Sequence, residues 1–128
     1  MKVIIAGSRS AINYQELVDV MDDLFLLEGW IVTEVVSGTA RGADRLGERW
    51  GKEKGIPVKR FPAEWDKWGK IAGRLRNEIM SQYADALVAL WDGESRGTSH
   101  MIDVARERGL KIYVHRITLN NEKKKKTV

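Results

Sequence analysis

Short apolar runs alternate with longer amphipathic segments along most of this 128-residue chain. Five short segments read as strands, namely Val3–Ala6, Ile31–Val36, Pro57–Phe61, Ala86–Trp91 and Lys111–His115. Two of them, Val3–Ala6 and Ala86–Trp91, are continuous apolar runs, which are typical of strands that are buried on both faces of a parallel sheet. Because the intervening segments have helical spacing, the predicted order is βαβαβαβαβ.

Four amphipathic segments separate the strands. The first predicted helix begins at Asn13, which has the spacing of a capping box with Glu16, and ends at Gly29. Its predicted core positions are Tyr14, Leu17, Val18, Met21, Leu24 and Phe25. The other predicted helices are Gly42–Lys54, Lys70–Tyr83 and Thr98–Arg108, and the third carries Ile71, Leu75, Ile79 and Met80 at helical spacing. Residues 62–69 are predicted to form a loop.

Right-handed crossovers between parallel strands favour a doubly wound sheet. The predicted fold is therefore an α/β, Rossmann-like three-layer sandwich, with a five-stranded parallel sheet of order 3-2-1-4-5 and helices on both faces. Residues 1–117 are predicted to form this domain, and residues 118–128 a basic, flexible C-terminal tail.

The net charge of +4 suggests a nucleic-acid partner until it is divided along the chain. Residues 122–126 read Glu-Lys-Lys-Lys-Lys and carry +3, so the rest of the chain carries only +1. Nucleic-acid binding is therefore not expected except through the lysine tail. The chain has no cysteine, which excludes disulfides, thiolate zinc sites and thiol nucleophiles. No apolar run approaches the ~20 residues of a membrane span, so a cytoplasmic protein without a membrane partner is expected.

Three strand-end loops are rich in glycine, serine and arginine: Gly7–Ser10, Ser37–Asp44 and Asp92–His100. The carboxyl ends of parallel strands meet at one edge of the sheet, so these loops should converge there. Glycines allow close backbone approach, and helix N-termini offer free N–H groups to phosphate. Arginines, whose forked guanidinium groups suit phosphate, lie in or beside these segments at Arg9, Arg41, Arg74, Arg76 and Arg96. Neither a Walker A motif nor Gly-x-Gly-x-x-Gly is present, which disfavours P-loop NTPases and ordinary dinucleotide dehydrogenases.

Ordered motifs over about residues 2–115 resemble the YspA-type, YpsA-related branch of the SLOG superfamily. They are Gly7-Ser8-Arg9, Ser37-Gly38-Thr39-Ala40-Arg41-Gly42-Ala43-Asp44, Phe61–Lys70, Ala72–Met80, Ala84–Val88, Trp91-Asp92-Gly93 and Ser95-Arg96-Gly97-Thr98. That superfamily joins the DNA-processing protein DprA to the Lonely Guy phosphoribohydrolases. The resemblance implies a Rossmann-like fold and a nucleotide or nucleotide-derived ligand. It also implies one ligand loop at Gly38–Asp44, a second at Gly97 and Thr98, and polar groups from Arg74, Arg76 and Asn77.

Residues at the strand ends and on the third helix make up the predicted nucleotide- and phosphate-binding set. The set is Gly7, Ser8, Arg9, Ser37, Gly38, Thr39, Arg41, Gly42, Asp44, Arg74, Arg76, Asn77, Asp92, Arg96, Gly97, Thr98 and Ser99. Trp65 and Trp68 are candidates for base stacking, or else form a loop cluster that covers the sheet edge. His115 is expected to be structural.

One departure from the Lonely Guy pattern concerns catalysis. The resemblance implies a glutamate that serves N-glycosidic cleavage, but Met101 stands at that position and fits the apolar stripe of its helix. Asp44, Glu78 and His100 are the catalytic candidates, with Asp92 and Asp103 as further carboxylates, and the sequence selects none of them. His100 could equally be a phosphate ligand or a solvated residue. Two isolated histidines form no metal site, although carboxylates and ligand phosphate could hold Mg²⁺.

Three functions follow from these observations, in order of preference. The first is a sensor or sequestering module that binds a nucleotide-like small molecule at the carboxyl edge of the sheet. The second is a nucleotide N-glycosidase that acts on nucleoside 5′-monophosphates, in which a carboxylate stabilises an oxocarbenium-like ribose. The third, by analogy to DprA, is single-stranded nucleic-acid binding. The sequence leaves the base, the phosphate number and homo-oligomerisation open.

Overall fold

The computed structural model describes residues 1–118, so residues 119–128 of the predicted tail lie outside the described residues. The strands are β1 (Lys2–Gly7), β2 (Glu34–Ser37), β3 (Val58–Arg60), β4 (Ala86–Trp91) and β5 (Lys111–Arg116). The helices are α1 (Tyr14–Glu28), α2 (Ala43–Lys54), α3 (Trp65–Trp68), α4 (Ala72–Tyr83) and α5 (Arg96–Glu107), and a 3₁₀ turn (Gly69–Ile71) joins α3 to α4.

The five strands form one parallel sheet in the order β3-β2-β1-β4-β5, which confirms the predicted fold and strand order. The central strand β1 pairs with β2 on one side and β4 on the other, so that Ile4 lies beside both Val36 and Leu87. The chain winds outwards from β1 to β3, then returns to β4 and winds the other way. The helix that follows β1 therefore lies on one face of the sheet and the helix that follows β4 on the other, which opens a crevice at the carboxyl edge of the sheet.

Two apolar layers cover the two faces of the sheet. On one face, Leu17, Met21 and Leu24 of α1 and Trp50 of α2 pack in one cluster with Ile5 and its neighbours. On the other, Met80 of α4 and Met101 and Ala105 of α5 pack with Ile4 and Leu87. Complete burial of one such side chain contributes about 2 kcal/mol, so these layers hold the crevice on a rigid support. None of the helices within residues 1–118 is long and apolar enough to cross a membrane.

The predicted capping box of α1 is only half present. The Asn13 side chain accepts hydrogen bonds from the backbone N–H groups of Gln15 and Glu16, as a cap should. The Glu16 carboxylate turns instead to the other end of the chain, where it lies 2.9 Å from His115 Nε2 and accepts from the Thr118 N–H. Glu16 thus joins α1 to β5 and to the segment after it. His115 contributes to this contact, in keeping with the structural role expected from the sequence.

Several predicted apolar positions prove to be exposed. Phe25 is 58% exposed and Val20 is buried in its place, because the face of α1 that meets the sheet runs through Leu17, Val20, Met21 and Leu24. The prediction that β2 begins at Ile31 is also wrong. Ile31 is 66% exposed and the strand begins at Glu34, where pairing with β1 starts.

The third predicted helix differs most from the sequence-based expectation. Regular α-helix begins at Ala72 rather than Lys70, and Ile71 and Ile79 are each 52% exposed. The face that α4 buries includes the polar residue Asn77 beside Met80, because this face meets the crevice as well as the core. The predicted 62–69 loop also contains the short helix α3, and α5 begins at Arg96, two residues before the predicted start.

Candidate functional site

Two adjoining cavities lie at the carboxyl edge of the sheet, where the loops after β1, β2 and β4 meet. The main cavity has a volume of about 580 Å³ and lies between the β1 and β4 loops, α4 and the start of α5. The side cavity, of about 360 Å³, lies against the loop after β2. Four residues line both cavities and form the junction between them: Arg9, Ala40, Trp65 and Arg76.

Most of the predicted binding set lines one of these cavities. The main cavity is lined by Gly7, Arg9, Asp44, Arg74, Arg76, Asn77, Asp92, Arg96, Gly97 and Thr98, together with the catalytic candidate His100. The side cavity adds Gly38, Thr39 and Arg41. The convergence of the three loops, which the strand order predicts, is therefore present in the structure.

Some predicted residues support the loops without lining either cavity. Ser8 is buried, and its hydroxyl accepts a hydrogen bond from the Asp92 N–H at 2.9 Å, which ties the β1 loop to the β4 loop. Ser37 is also buried, and its hydroxyl donates to Glu48 and accepts from the Thr39 N–H. The remaining predicted residues that line neither cavity are Gly42, Ser99, Glu78 and Trp68.

Arg76 fastens α4 to the loop after β2. Its Nη1 donates a hydrogen bond to the Gly38 carbonyl, and its Nε donates to Asn77 Oδ1 at 3.0 Å. Gly38 permits this approach, because a Cβ there would lie 2.7 Å from Arg76 Nη1 and 2.8 Å from Asp44 Oδ2. The guanidinium group is therefore held in place at the junction before any ligand binds.

Asp44, in the first turn of α2, is a buried carboxyl group beside this guanidinium. Burial raises the pKa of Asp44 to about 6, against the opposing effects of a hydrogen bond from the Ala40 N–H and of the Arg76 charge. Burial likewise lowers the pKa of the Arg76 guanidinium, which the charge of Asp44 partly restores. At neutral pH the Asp44 carboxylate offsets part of the positive charge at the junction.

Asn77 links Arg76 to the start of α5. Its Nδ2 donates to the Gly97 carbonyl at 3.4 Å and lies 3.1 Å from His100 Nδ1. Burial and the nearby Arg74 charge lower the pKa of His100, so its imidazole is neutral at pH 7. With Nδ1 accepting from Asn77, the proton of this neutral ring lies on Nε2, where it can be donated to a ligand.

The loop after β4 presents the N-terminus of α5 to the main cavity. Asp92 Oδ1 accepts from the N–H groups of Glu94 and Ser95, each at 2.8 Å, and these bonds lower the pKa of Asp92. Ser95 caps α5 through the Thr98 N–H, and its carbonyl accepts from Trp91 Nε1. A Cβ at Gly97 would meet no other atom within 4 Å, so this helix start is open to a ligand.

Positive charge exceeds negative charge around the two cavities. Five lining cations, Arg9, Arg41, Lys70, Arg74 and Arg96, form no salt bridge within residues 1–118. The carboxylates that line the cavities in the same part of the chain are Asp44 and Asp92. Such an excess of positive charge beside a helix N-terminus suits an anionic ligand.

The two tryptophans of α3 differ in position. Trp65 is 56% exposed, lies against Gly73 of α4, and lines both cavities, as a base-stacking residue would. Trp68 lines neither cavity. Lys70 and Gly73 line the main cavity but were not among the predicted residues. Both residues could have been predicted, since they lie in the motifs Phe61–Lys70 and Ala72–Met80 that carry the resemblance.

Catalytic and metal-binding chemistry has few candidates among the described residues. Glu78 lies outside both cavities, and Asp103 lies on the exposed side of α5, 3.7 Å from Arg106. Within residues 1–118 no group of three histidine or acidic side chains is placed to hold a metal ion. Mg²⁺ bound together with ligand phosphate stays a prediction.

Comparisons with known proteins agree with this fold. The chain is 35% identical over 118 residues to the Gene 61 protein of Mycobacterium phage D29, covering 87% of this chain and 93% of that protein. Its structure matches DNA processing protein A (DprA) from Streptococcus pneumoniae with a TM-score of 0.69 at 18% identity, over 94% of this chain. The match spans 52% of the DprA chain, about half its length. The sequence profile of the YspA, cpYpsA-related SLOG family matches residues 1–68, and the chain belongs to this family.

Proposed function

We propose that this protein binds a nucleotide or a nucleotide-derived small molecule in the two cavities, as a sensor or sequestering module without turnover. Family membership supports a nucleotide-related or nucleic-acid-binding role in general. The observation that carries the finer proposal is the cluster of unpaired cations around an open helix N-terminus. Five such cations line the cavities together with Arg76, whereas the carboxylates that line them within residues 1–118 are Asp44 and Asp92.

Phosphate groups suit the main cavity in particular. The open backbone at Gly97 allows the close approach of an oxygen, and Arg74 of α4 and Arg96 of α5 line the same cavity. The Nε2 N–H of the neutral His100, which also lines this cavity, is a further hydrogen-bond donor for the ligand. The exposed ring of Trp65 gives a base a flat apolar surface on which to stack.

Binding without turnover is supported by what stands at the candidate catalytic positions. Met101, at the position where the Lonely Guy pattern has its glutamate, is 1% exposed and packs into the apolar layer with Met80. The Asp44 carboxylate is already engaged by the Ala40 N–H and lies beside Arg76. Its environment thus favours a role in holding the loop after β2.

Titration calorimetry with a panel of nucleoside mono-, di- and triphosphates and nucleotide derivatives tests the proposal. Replacing Arg74 by alanine should weaken binding by about 10- to 100-fold, since a charge-assisted hydrogen bond contributes roughly 1.5–3 kcal/mol. Arg106→Ala is the matched control, because Arg106 is an exposed helical arginine outside both cavities. Absence of binding to every member of the panel, and of any nucleotide released on denaturing freshly purified protein, would overturn it.

The N-glycosidase function is the second candidate, and the position of Asp44 is the observation that favours it. Asp44 is a carboxyl group in the main cavity with a pKa of about 6, close to the range of an acid–base catalyst at neutral pH. Release of free base from a nucleoside 5′-monophosphate, abolished by Asp44→Asn, would establish this activity. Tight binding without release of base supports the sensor or sequestering function instead.

A further inference from the structure

The side cavity has no role when one mononucleotide fills the main cavity. We propose that the ligand is a dinucleotide in the broad sense, that is, two nucleoside-sized groups joined through phosphate. One group would occupy each cavity, with the linking phosphates at the junction formed by Arg9, Ala40, Trp65 and Arg76. This inference rests on the proposed function and names the substrate class of the same site.

The junction has the composition expected around a phosphate link. Arg9 and Arg76 line both cavities, so their guanidinium groups are the cations available from either side. Arg76 is fixed by the Gly38 carbonyl and by Asn77 Oδ1, whereas Arg9 is exposed and forms no salt bridge within residues 1–118. One preorganised and one adjustable arginine can together bind both oxygens of a bridging phosphate group.

Each cavity also has walls of its own. The main cavity has Arg74, Arg96 and His100, and the side cavity has Arg41 and the apolar pair Pro62 and Ala63. Volumes of about 580 and 360 Å³ each exceed the ~300 Å³ at which small-molecule pockets begin. The exposed Trp65 ring stands between them, where it can stack on a base from either side.

A mononucleotide leaves part of this arrangement unused. A mononucleotide with its phosphate at the start of α5 occupies the main cavity, and Arg41, which lines only the side cavity, then has no anion or ring to contact. A ligand of two linked nucleosides places charge at the junction and a sugar or base against Arg41, Pro62 and Ala63. The positive charge of both cavities is then used by one molecule.

Calorimetry with the full-length protein tests the inference by pairing variants with probes. The probes are AMP and ADP as mononucleotides, and NAD⁺, ADP-ribose and cyclic di-AMP as ligands with two linked groups. Arg41→Ala changes only the side cavity and Arg74→Ala only the main cavity. Arg49→Ala is the control, because Arg49 pairs with Glu53 on the surface of α2, outside both cavities.

At least one two-group probe should bind at least tenfold more tightly than AMP, and Arg41→Ala and Arg74→Ala should each weaken it at least tenfold. The affinity for AMP should fall in Arg74→Ala but not in Arg41→Ala. Arg49→Ala should change neither the affinity for AMP nor that for the two-group probe. Binding of AMP or ADP with no two-group probe tighter, or with Arg41→Ala silent for every probe, overturns the dinucleotide inference but leaves the proposed function standing. Absence of binding by every probe overturns the dinucleotide inference, and the proposed function falls with it only if the wider nucleotide panel also fails to bind and the denatured protein releases no nucleotide.

Discussion

Asp44 is the buried acid whose ionisation the fold opposes. Its ordinary pKa of 3.8 rises to about 6, chiefly through burial, so the folded protein favours the protonated form. Protonation of Asp44 therefore stabilises the folded state. This contribution to the unfolding free energy is fully present below pH 3.8 and is lost as the pH rises through 6. Asp44→Asn, which cannot ionise, should remove this dependence. Between pH 7 and pH 5 the unfolding free energy of the wild type should rise by about 1 kcal/mol relative to Asp44→Asn.

Urea denaturation at pH 5, 6 and 7 measures this difference, and comparison with the variant cancels the titration of all other groups. Asp103→Asn serves as the control, because it removes an exposed carboxyl group that lies outside both cavities. A wild-type curve parallel to that of Asp44→Asn over this range would contradict the raised pKa.

Thr39 carries backbone strain at the side cavity. It has φ of 66°, the left-handed region that a β-branched residue rarely adopts, while Ser37 Oγ and Arg45 Nε hold its N–H and carbonyl. Such strain costs roughly 1–3 kcal/mol, so Thr39→Gly should raise the unfolding free energy by about 1 kcal/mol. Thr39→Val keeps the branched side chain and should stay within about 0.5 kcal/mol of the wild type. Chemical denaturation measures the unfolding free energies of the two variants, and equal values would contradict backbone strain at Thr39.

A methyl group added at either of two glycines of the site should change the stability of the protein in different directions. Gly38 meets Arg76 and Asp44 closely, so Gly38→Ala should lower stability and ligand affinity together. Gly97 faces open space in the first turn of α5, so Gly97→Ala should leave stability unchanged or raise it by up to ~1 kcal/mol. The new methyl group would still occupy the space of the ligand, and affinity should fall at least tenfold. Thermal unfolding and calorimetry on both variants separate the effects, and unchanged affinity in Gly97→Ala would place the ligand elsewhere.

At the scale of elements, the order of the five strands was predictable from the sequence, whereas the buried face of α4 was not. Ala86–Trp91 is predicted with the bounds that β4 has, because an apolar run buried on both sides needs no knowledge of its neighbours. In α4 the apolar Ile79 is exposed while Asn77 is buried, since Asn77 accepts a hydrogen bond from the neighbouring Arg76 and donates one to the Gly97 carbonyl of α5. A helix that lines a site buries polar groups, which a periodicity of apolar residues cannot reveal.

The same reasoning explains the candidate site. The position of Arg96 and Gly97 at the main cavity was predictable, because both follow a strand and the carboxyl ends of parallel strands share one edge of the sheet. The inward turn of Ser8 and Ser37, which hold loops rather than line cavities, depends on hydrogen bonds to Asp92 and Glu48 that are distant in sequence. Lys70 was missed because its position depends on how the segment between β3 and α4 folds back over the sheet edge.

At the scale of the whole molecule, the distribution of charge separates small-ligand binding from nucleic-acid binding. Residues 119–128 carry +3 of the net charge of +4, and in the described residues the two cavities are lined by six cations and two carboxylates. Removal of residues 119–128 should therefore leave nucleotide affinity within about twofold of that of the full chain. Any affinity for single-stranded DNA should be lost, because polyanion binding depends on the number of phosphate charges that the protein neutralises.

Gel shifts with a single-stranded oligonucleotide and calorimetry with a nucleotide, on full and shortened chains, test this division. The shortened chain keeps Thr118, whose N–H bonds to Glu16, so the link between α1 and the end of the domain is preserved. Replacement of Lys123–Lys126 by glutamine is the matched control, since it removes the charge and keeps the length. If the shortened chain still bound the oligonucleotide while Arg74→Ala did not, the cavity cations would hold a polymer. The site would then be a nucleic-acid interface, because the cations that bind the phosphate group of a small ligand would also bind the phosphates of a single strand.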